Sequence, residues 1–157
     1  MRITSHGRWP AYGGDPADMI EIDQLLSAYA HTIDANRYEE SADLFTDNSV
    51  FELVWQDDKG NLQPMNGGKG IRLATRADRI RFQSAAVGNP PALPRKKNAE
   101  GHQLINRIID VQGDKGFVRA YRVGGAMQYE TDVVRTPQGW KFCRMLIIFD
   151  KDRSFPA

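Results

Sequence analysis

Four side chains in this sequence combine reactive chemistry with telling positions: Tyr29, Asp34, His102 and Asn106. Asp34 falls at the carboxyl end of the first helix the sequence predicts, where a negative charge opposes the helix dipole. An acid set against its local electrostatics suits a tertiary use, such as a general base with a raised pKa. A solvated turn aspartate fits the same position equally well. Tyr29 lies five residues earlier, roughly 140° away around an ideal helix. The two border one cavity only where that cavity wraps over the helix end, and core packing with a satisfied hydroxyl is the commoner use of such a tyrosine. His31 is roughly 60° from Asp34 on the less apolar side and reads as surface or as a secondary candidate. His102 opens a predicted strand and shares a face with Leu104, Asn106 and Ile108. A histidine and an asparagine four apart on one face suit acid–base work plus substrate orientation; a hydrogen-bonded structural histidine suits the same place.

Other chemistries find no support. There is no His-Glu-x-x-His, and His6, His31 and His102 are too scattered to suggest a metal site. Gly67-Gly68-Lys69-Gly70 lacks Walker spacing and the following Ser or Thr, so it reads as a turn before a helix. No Gly-x-Gly-x-x-Gly follows a strand. The single cysteine, Cys143, lies in an apolar strand and reads as packing. It can form no internal disulfide and fits a reducing, cytoplasmic setting. No metal and no cofactor is expected.

The elements that must position these residues follow from the hydrophobic pattern. Residues 1–14 read as an irregular arm, 15–150 as one domain and 151–157 as a tail. Asp15-Pro16 opens a helix whose Met19, Ile22, Leu26, Tyr29 and Ile33 form one stripe to about residue 34. Asn36 to Glu39 has capping-box spacing for a short second helix carrying Tyr38, Ala42 and Phe45. Residues 50–55 read as a strand, with a weaker return at 62–66. A third helix is expected at about 71–86, with Leu73, Ala77 and Ile80 on one face. Its Lys69, Arg72, Arg76 and Arg79 stripe is expected to meet solvent or an acidic helix. After the Asn89–Pro94 loop come strands at 101–112, 116–123, 126–136 and 140–149, separated by hairpin turns. Helices first and then an antiparallel meander mean α+β, with helices on one face of a curved sheet.

With 157 residues, 41% hydrophobic and 26% charged, the chain is long enough for one well-buried core. The net charge of +1 excludes the usual footprint of a nucleic-acid binder. It conceals an acidic stretch at 15–47, with nine acids to one base, and a basic one at 69–97, with eight bases to one acid. Those stretches are expected to face each other, solvent or a neighbouring subunit. No apolar run approaches a membrane span, and no leader pattern opens the chain.

The segment Ile22 to Asp34, continuing through Tyr38, Asp43, Phe45 and Asp47 to Phe51, resembles the opening of SnoaL-like domains of the nuclear-transport-factor-2-like superfamily. The later His102…Asn106 and Tyr129…Arg135-Thr-Pro-Gln-Gly139-Trp140 pattern continues the likeness over about residues 15–150. The resemblance implies a cone of strongly curved sheet and three helices around a deep pocket. It also implies a catalytic set of Tyr29, Asp34 and His102, as in scytalone-dehydratase-like and bile-acid-dehydratase-like enzymes. The Tyr-x4-Asp spacing resembles the bile-acid branch. Diarylpropane lyases, which release formaldehyde from lignin-derived diols without a cofactor, are similar too. Two departures stand out: an insertion at 84–100 before His102, and Thr131 where the family often has an acid, with Asp132 one place later.

The expectation is therefore a cofactor-free lyase acting on an aromatic or polycyclic alcohol. Phe51, Trp55, Tyr121 and Tyr129 would supply aromatic walls, and Asn106 a substrate contact. An isomerase or cyclase with Asp34 shuttling a proton, or a non-catalytic binding protein, is the alternative. Homo-oligomers are expected through the sheet, with Ile105, Ile109 or Phe149 covered by another subunit.

Overall fold

The computed structural model describes residues 13–87, 101–123 and 127–155. The loop at 89–94, the Gly124-Gly125 turn and nearly all of the arm lie outside the described residues. Helix α1 (Pro16–Asp34) begins where the sequence predicts it. Asp15 Oδ1 accepts from the Ala17 and Asp18 amides at 2.9 and 3.4 Å, satisfying donors the helix itself leaves open. The stripe of Ile22, Leu26, Tyr29 and Ile33 is buried, and each such aliphatic side chain stabilises the fold by about 1.5–3 kcal/mol. There follow α2 (Tyr38–Asp43), β1 (Phe45–Gln56), β2 (Leu62–Pro64), β3 (Ile71–Leu73) and α3 (Arg76–Val87). The second half is β4 (Leu104–Gln112), β5 (Lys115–Arg122), β6 (Met127–Thr136) and β7 (Gly139–Phe149).

The seven strands make one open mixed sheet in the order β2-β1-β7-β6-β5-β4, with β3 also paired to β1. Among the strand pairs of the described residues β1 and β7 alone run parallel, beside an isolated parallel bridge between Gly13 and Asp110. Alternation along β7 separates two faces: Met145, Ile147 and Phe149 join the main core with α1, while Leu146 and Ile148 join Val54 and Leu62 in a smaller cluster. Helix α1 approaches the sheet closely at Gly116, where a Cβ would stand 2.9 Å from Val133 Cγ2 and 3.3 Å from Ile22 Cδ1. The architecture is α+β, as the pattern of elements predicts.

Several local expectations are corrected. The third helix starts at Arg76, because residues 71–73 are taken into the sheet as β3. Asn36 is not the cap of α2: Arg37 is, without a side-chain bond. Asn36 instead turns the chain in the left-handed region (φ 58°), and its Oδ1 accepts from the Tyr38 hydroxyl at 2.6 Å. β4 begins at Leu104, so His102 precedes it. A register shift between Ile105 and Ile108, with Asn106 at φ 51°, then reverses the facing of the strand. Ile109 and Phe149 are core residues, not outer ones; Ile105 alone of those three is exposed.

The basic stripe also divides. Arg76 Nη2 pairs with Asp43 Oδ1 of the acidic α2 at 2.9 Å, and Arg72 pairs with Glu52 at 3.7 Å. Arg79 departs from the expectation. It is buried, its guanidinium lies 5.1 Å from the Phe45 ring centroid, and its Nη1 donates to the Ser49 carbonyl at 3.3 Å.

Candidate active site

The end of α1 and the approach to β4 meet at Asp34 and His102. Ala35 caps the helix through its own amide and Asn36 turns the chain away, so the Asp34 carboxylate projects beyond the last turn. Asp34 Oδ2 accepts from the His102 backbone amide at 2.8 Å, and Asp34 Oδ1 lies 2.6 Å from His102 Nδ1. Both carboxylate oxygens are thus taken by one residue 68 positions away. The two side chains are 19% and 17% exposed, enough for contact with a ligand. A carboxylate on Nδ1 fixes the imidazole orientation, keeps the proton on Nδ1 in the neutral ring and favours the imidazolium. Nε2 is the ring nitrogen that Asp34 does not engage.

Tyr29 is buried in an aromatic nest. Its ring meets those of Phe45, Phe142 and Tyr129 edge-on at centroid distances of 6.1, 6.0 and 6.4 Å. Burial, reinforced by Tyr129, pushes the Tyr29 hydroxyl well above the usual phenol range. Burial likewise pushes Tyr129 up to about 12. Both phenols therefore stay protonated and act as neutral hydrogen-bond donors. The fields of Asp34 and Arg122 reach both hydroxyls with opposite sign, which brings the helix end, β5 and β6 to one site.

Phe51 is buried on the same side, between Phe45 and Phe82 at 6.4 and 6.2 Å. Trp55 is half-buried at its edge, with Nε1 donating to the Pro64 carbonyl at 3.2 Å. Two expected residues lie elsewhere. Asn106 is exposed at the bulge of β4, and the expectation that it shares a face with His102 is corrected by that bulge. Tyr121 is 44% exposed on the opposite face of the sheet. There it borders a groove of about 400 Å³ with Gln56, Gln128 and Ile148. His31 is exposed. Cys143 is half-buried, its Sγ donates to the Asp132 carbonyl at 3.3 Å, and burial pushes the thiol up.

The sequence reading missed two residues that face the buried tyrosines. Gln83 of α3 is 3% exposed and stands beside the Tyr29 hydroxyl. Arg122 ends β5 in phase with Val118 and Ala120, which line the main core. The available signal was the phase of β5: alternation from Val118 carries an arginine inward. Among the described residues no group of three His, Cys, Asp or Glu side chains could hold a metal ion, and no helix is long and apolar enough to cross a membrane.

The model of the SnoaL-like domain family matches residues 16–146. No curated protein matches. A candidate aromatic ring hydroxylase from Novosphingobium aromaticivorans superimposes with a TM-score of 0.67 at 24% identity, covering 92% of this chain and 96% of that one. A candidate scytalone dehydratase from the same organism gives 0.60 at 19% identity, covering 90% and 91%. A candidate dehydratase of the nuclear-transport-factor-2-like family from Streptomyces avermitilis gives 0.58 at 17%, covering 84% and 95%. These likenesses establish a shared fold, not a shared substrate. With most of its length matched by the family model, the chain belongs to the SnoaL-like domain family.

Proposed function

We propose that the protein is a cofactor-independent lyase that dehydrates an aromatic or polycyclic alcohol, with His102 as acid–base group, Asp34 as its partner and Tyr29 as hydrogen-bond donor. The observation that carries this reading is the clasp of Asp34 on both the amide and the Nδ1 of His102, beside two buried tyrosines. With both oxygens occupied, Asp34 is poorly placed to shuttle a proton itself, as the isomerase reading requires. His102 Nε2 is the better agent: it takes a proton from the substrate and returns it to the departing hydroxyl, which leaves as water. Asp34 stabilises the intervening imidazolium, and the Tyr29 phenol stabilises charge developing on a substrate oxygen. Phe51, Trp55 and Tyr129 supply apolar and aromatic wall, which suits an aromatic substrate.

For a lignin-derived diarylpropane diol carrying a para-phenol, the phenolate would expel the benzylic hydroxyl to give a quinone methide. The adjacent hydroxymethyl group would then lose its hydroxyl proton as its carbon–carbon bond breaks. Formaldehyde leaves, and the bonding electrons restore the phenolate. The candidate dehydratases among the structural neighbours support the first step.

The deciding experiment offers diaryl diols and hydroxysteroids to the purified protein without added cofactor and follows water loss and formaldehyde release. Turnover that survives exhaustive chelation and falls about 10²-fold or more in His102→Ala is expected. Full activity in that variant would overturn the role of His102. Tight binding without turnover of either class would favour a binding protein. The same reading includes self-association through the outer sheet face, where Ile105, Tyr121 and Val123 are 43%, 44% and 41% exposed; light scattering at low micromolar concentration reads it directly.

A further inference from the structure

The buried polar groups of the inner face are not all explained by acid–base work. Gln83 is only 3% exposed, and neither of its amide atoms makes a well-formed hydrogen bond among the described residues, its N–H approaching the Tyr29 oxygen only loosely. Arg122 Nε is also buried without an acceptor. Leaving such groups unpaired is costly, and more so for a charged one. Native folds keep them unpaired where a ligand or an ordered water completes the set. The two converge on Tyr29 from two sides: Gln83 lies one turn of α3 after Arg79, whose guanidinium covers the Phe45 ring, and Arg122 follows Ala120, the cross-strand partner of Tyr129, on the inner face of β5, while the rings of Phe45 and Tyr129 both meet that of Tyr29.

The chemistry of the set points to its ligand. Arginine only donates, the Gln83 amide supplies two further N–H donors, and the protonated Tyr29 supplies an O–H. The carboxylate whose field reaches the tyrosines, Asp34, has both oxygens engaged by His102. Tyr29, Gln83 and Arg122 thus bring donors and a positive charge to one region of the inner face, where Arg122 has no ion pair among the described residues. An acceptor oxygen carrying negative charge completes them. The surrounding wall is aromatic, with Phe45, Phe142 and Tyr129 around Tyr29, so the group bearing that oxygen is an aryl ring.

We propose that Gln83 and Arg122 form a phenolate-binding subsite that holds the ionised hydroxyl of an aryl substrate beside Tyr29. This rests on the lyase reading only for its use in turnover: a phenolate held there is the electron source that expels a benzylic hydroxyl. The binding itself stands apart from any reaction. Arg122 lowers the cost of ionising the phenol, and Gln83 selects an oxygen over an apolar substituent at that position.

The test uses 4-nitrophenol, an unreactive phenol whose ionised form absorbs visible light, and 4-nitroanisole, its O-methylated counterpart, on the full chain. The protein should bind 4-nitrophenol as the phenolate and lower its apparent pKa, seen as visible absorbance appearing at lower pH. 4-Nitroanisole should bind at least about tenfold more weakly. Arg122→Gln should abolish the pKa shift and weaken phenolate binding about tenfold or more, while Arg122→Lys retains part of the shift. Gln83→Leu should weaken phenolate binding and leave 4-nitroanisole binding unchanged or improved. Thermal melts of each variant identify any that fail to fold, and the anisole comparison on the unaltered protein decides the matter without them. Equal affinity for the phenol and its methyl ether, or an unshifted pKa, would overturn the subsite even if the protein proves to be a lyase. A shifted pKa in a protein with no lyase activity would uphold the subsite and sink only its use in turnover.

Discussion

Arg119 and Arg122 stand three residues apart on β5, on opposite faces of the sheet, and their surroundings treat them differently. On the outer face Arg119 Nη2 lies 3.8 Å from Glu130 Oε1, and Glu130 also accepts from Gln128 Nε2 at 2.6 Å. On the inner face Arg122 has no carboxylate within ion-pair distance among the described residues; guanidinium nitrogens lacking an acceptor occur on both faces, so the contrast is one of charge pairing alone. A buried charge that serves only the fold is met by its opposite, because desolvation is otherwise uncompensated. A half-buried charge with no opposite beside it is, on the proposal above, kept for an anion that arrives later. The Asp34–His102 pair extends the contrast: its members engage each other as the outer pair does, yet both remain partly exposed.

The sharpest way to break this comparison is Asp34→Asn. The amide keeps the shape and one acceptor but removes the charge that supports the imidazolium, so turnover should fall about 10²-fold or more while the melting curve moves little. Steady-state kinetics beside a thermal melt measures both, and a collapse of stability with unchanged residual activity would make the pair structural.

A smaller effect is expected where α1 is tied to the β6–β7 hairpin. Asp18 accepts from Arg135 Nη2 at 2.6 Å and from Trp140 Nε1 at 3.1 Å, and the Arg135 and Trp140 bonds hold its carboxyl below the usual range. A lowered folded pKa means the contribution is present above the unfolded pKa and lost as pH falls through the folded one. Urea midpoints of the protein and of Asp18→Asn should therefore differ near neutral pH and converge in acid. A gap that persists unchanged in acid would show that the contact does not act through charge.

The smallest effect on turnover belongs to the outer pair. Burial raises the Glu130 pKa in spite of Arg119, so its ionised form is the costly one in the fold. The sign is opposite to that of Asp18: stability is greatest below the unfolded pKa and is lost as pH rises through the raised folded pKa. Glu130→Gln should remove that slope and leave turnover unaltered, while it lowers neutral-pH stability by about 3–5 kcal/mol because the buried Arg119 charge loses its opposite. A large loss of activity would erase the distinction between the two faces.

Much of the framework was legible because it is written in local periodicity. The stripe from Ile22 to Ile33 specified α1, the Asp15-Pro16 signal its start, and the alternating apolar runs specified β5, β6 and β7 closely. The oddity of Asp34 at a helix carboxyl end was legible too. The facing of Asn106 was not, since one extra residue in a strand reverses every side chain beyond it and leaves no mark in the residue types. Arg79 misled for a related reason: the helix was expected to start too early, because the β3 residues Ile71 to Leu73 fit a helical stripe as well as a short strand.

By itself the sequence determined the α+β class, the order of its elements and the presence of an acid, a histidine and buried tyrosines. These follow from short-range rules in which each residue is judged against neighbours a few positions away. Only the tertiary structure decided that Asp34 and His102 touch, that Tyr121 faces outward, and that Gln83 and Arg122 stand near Tyr29. Those facts depend on how a helix end, a bulged strand and a third helix are brought together across as many as 68 residues of chain. Packing fixes that juxtaposition, and no local pattern encodes it.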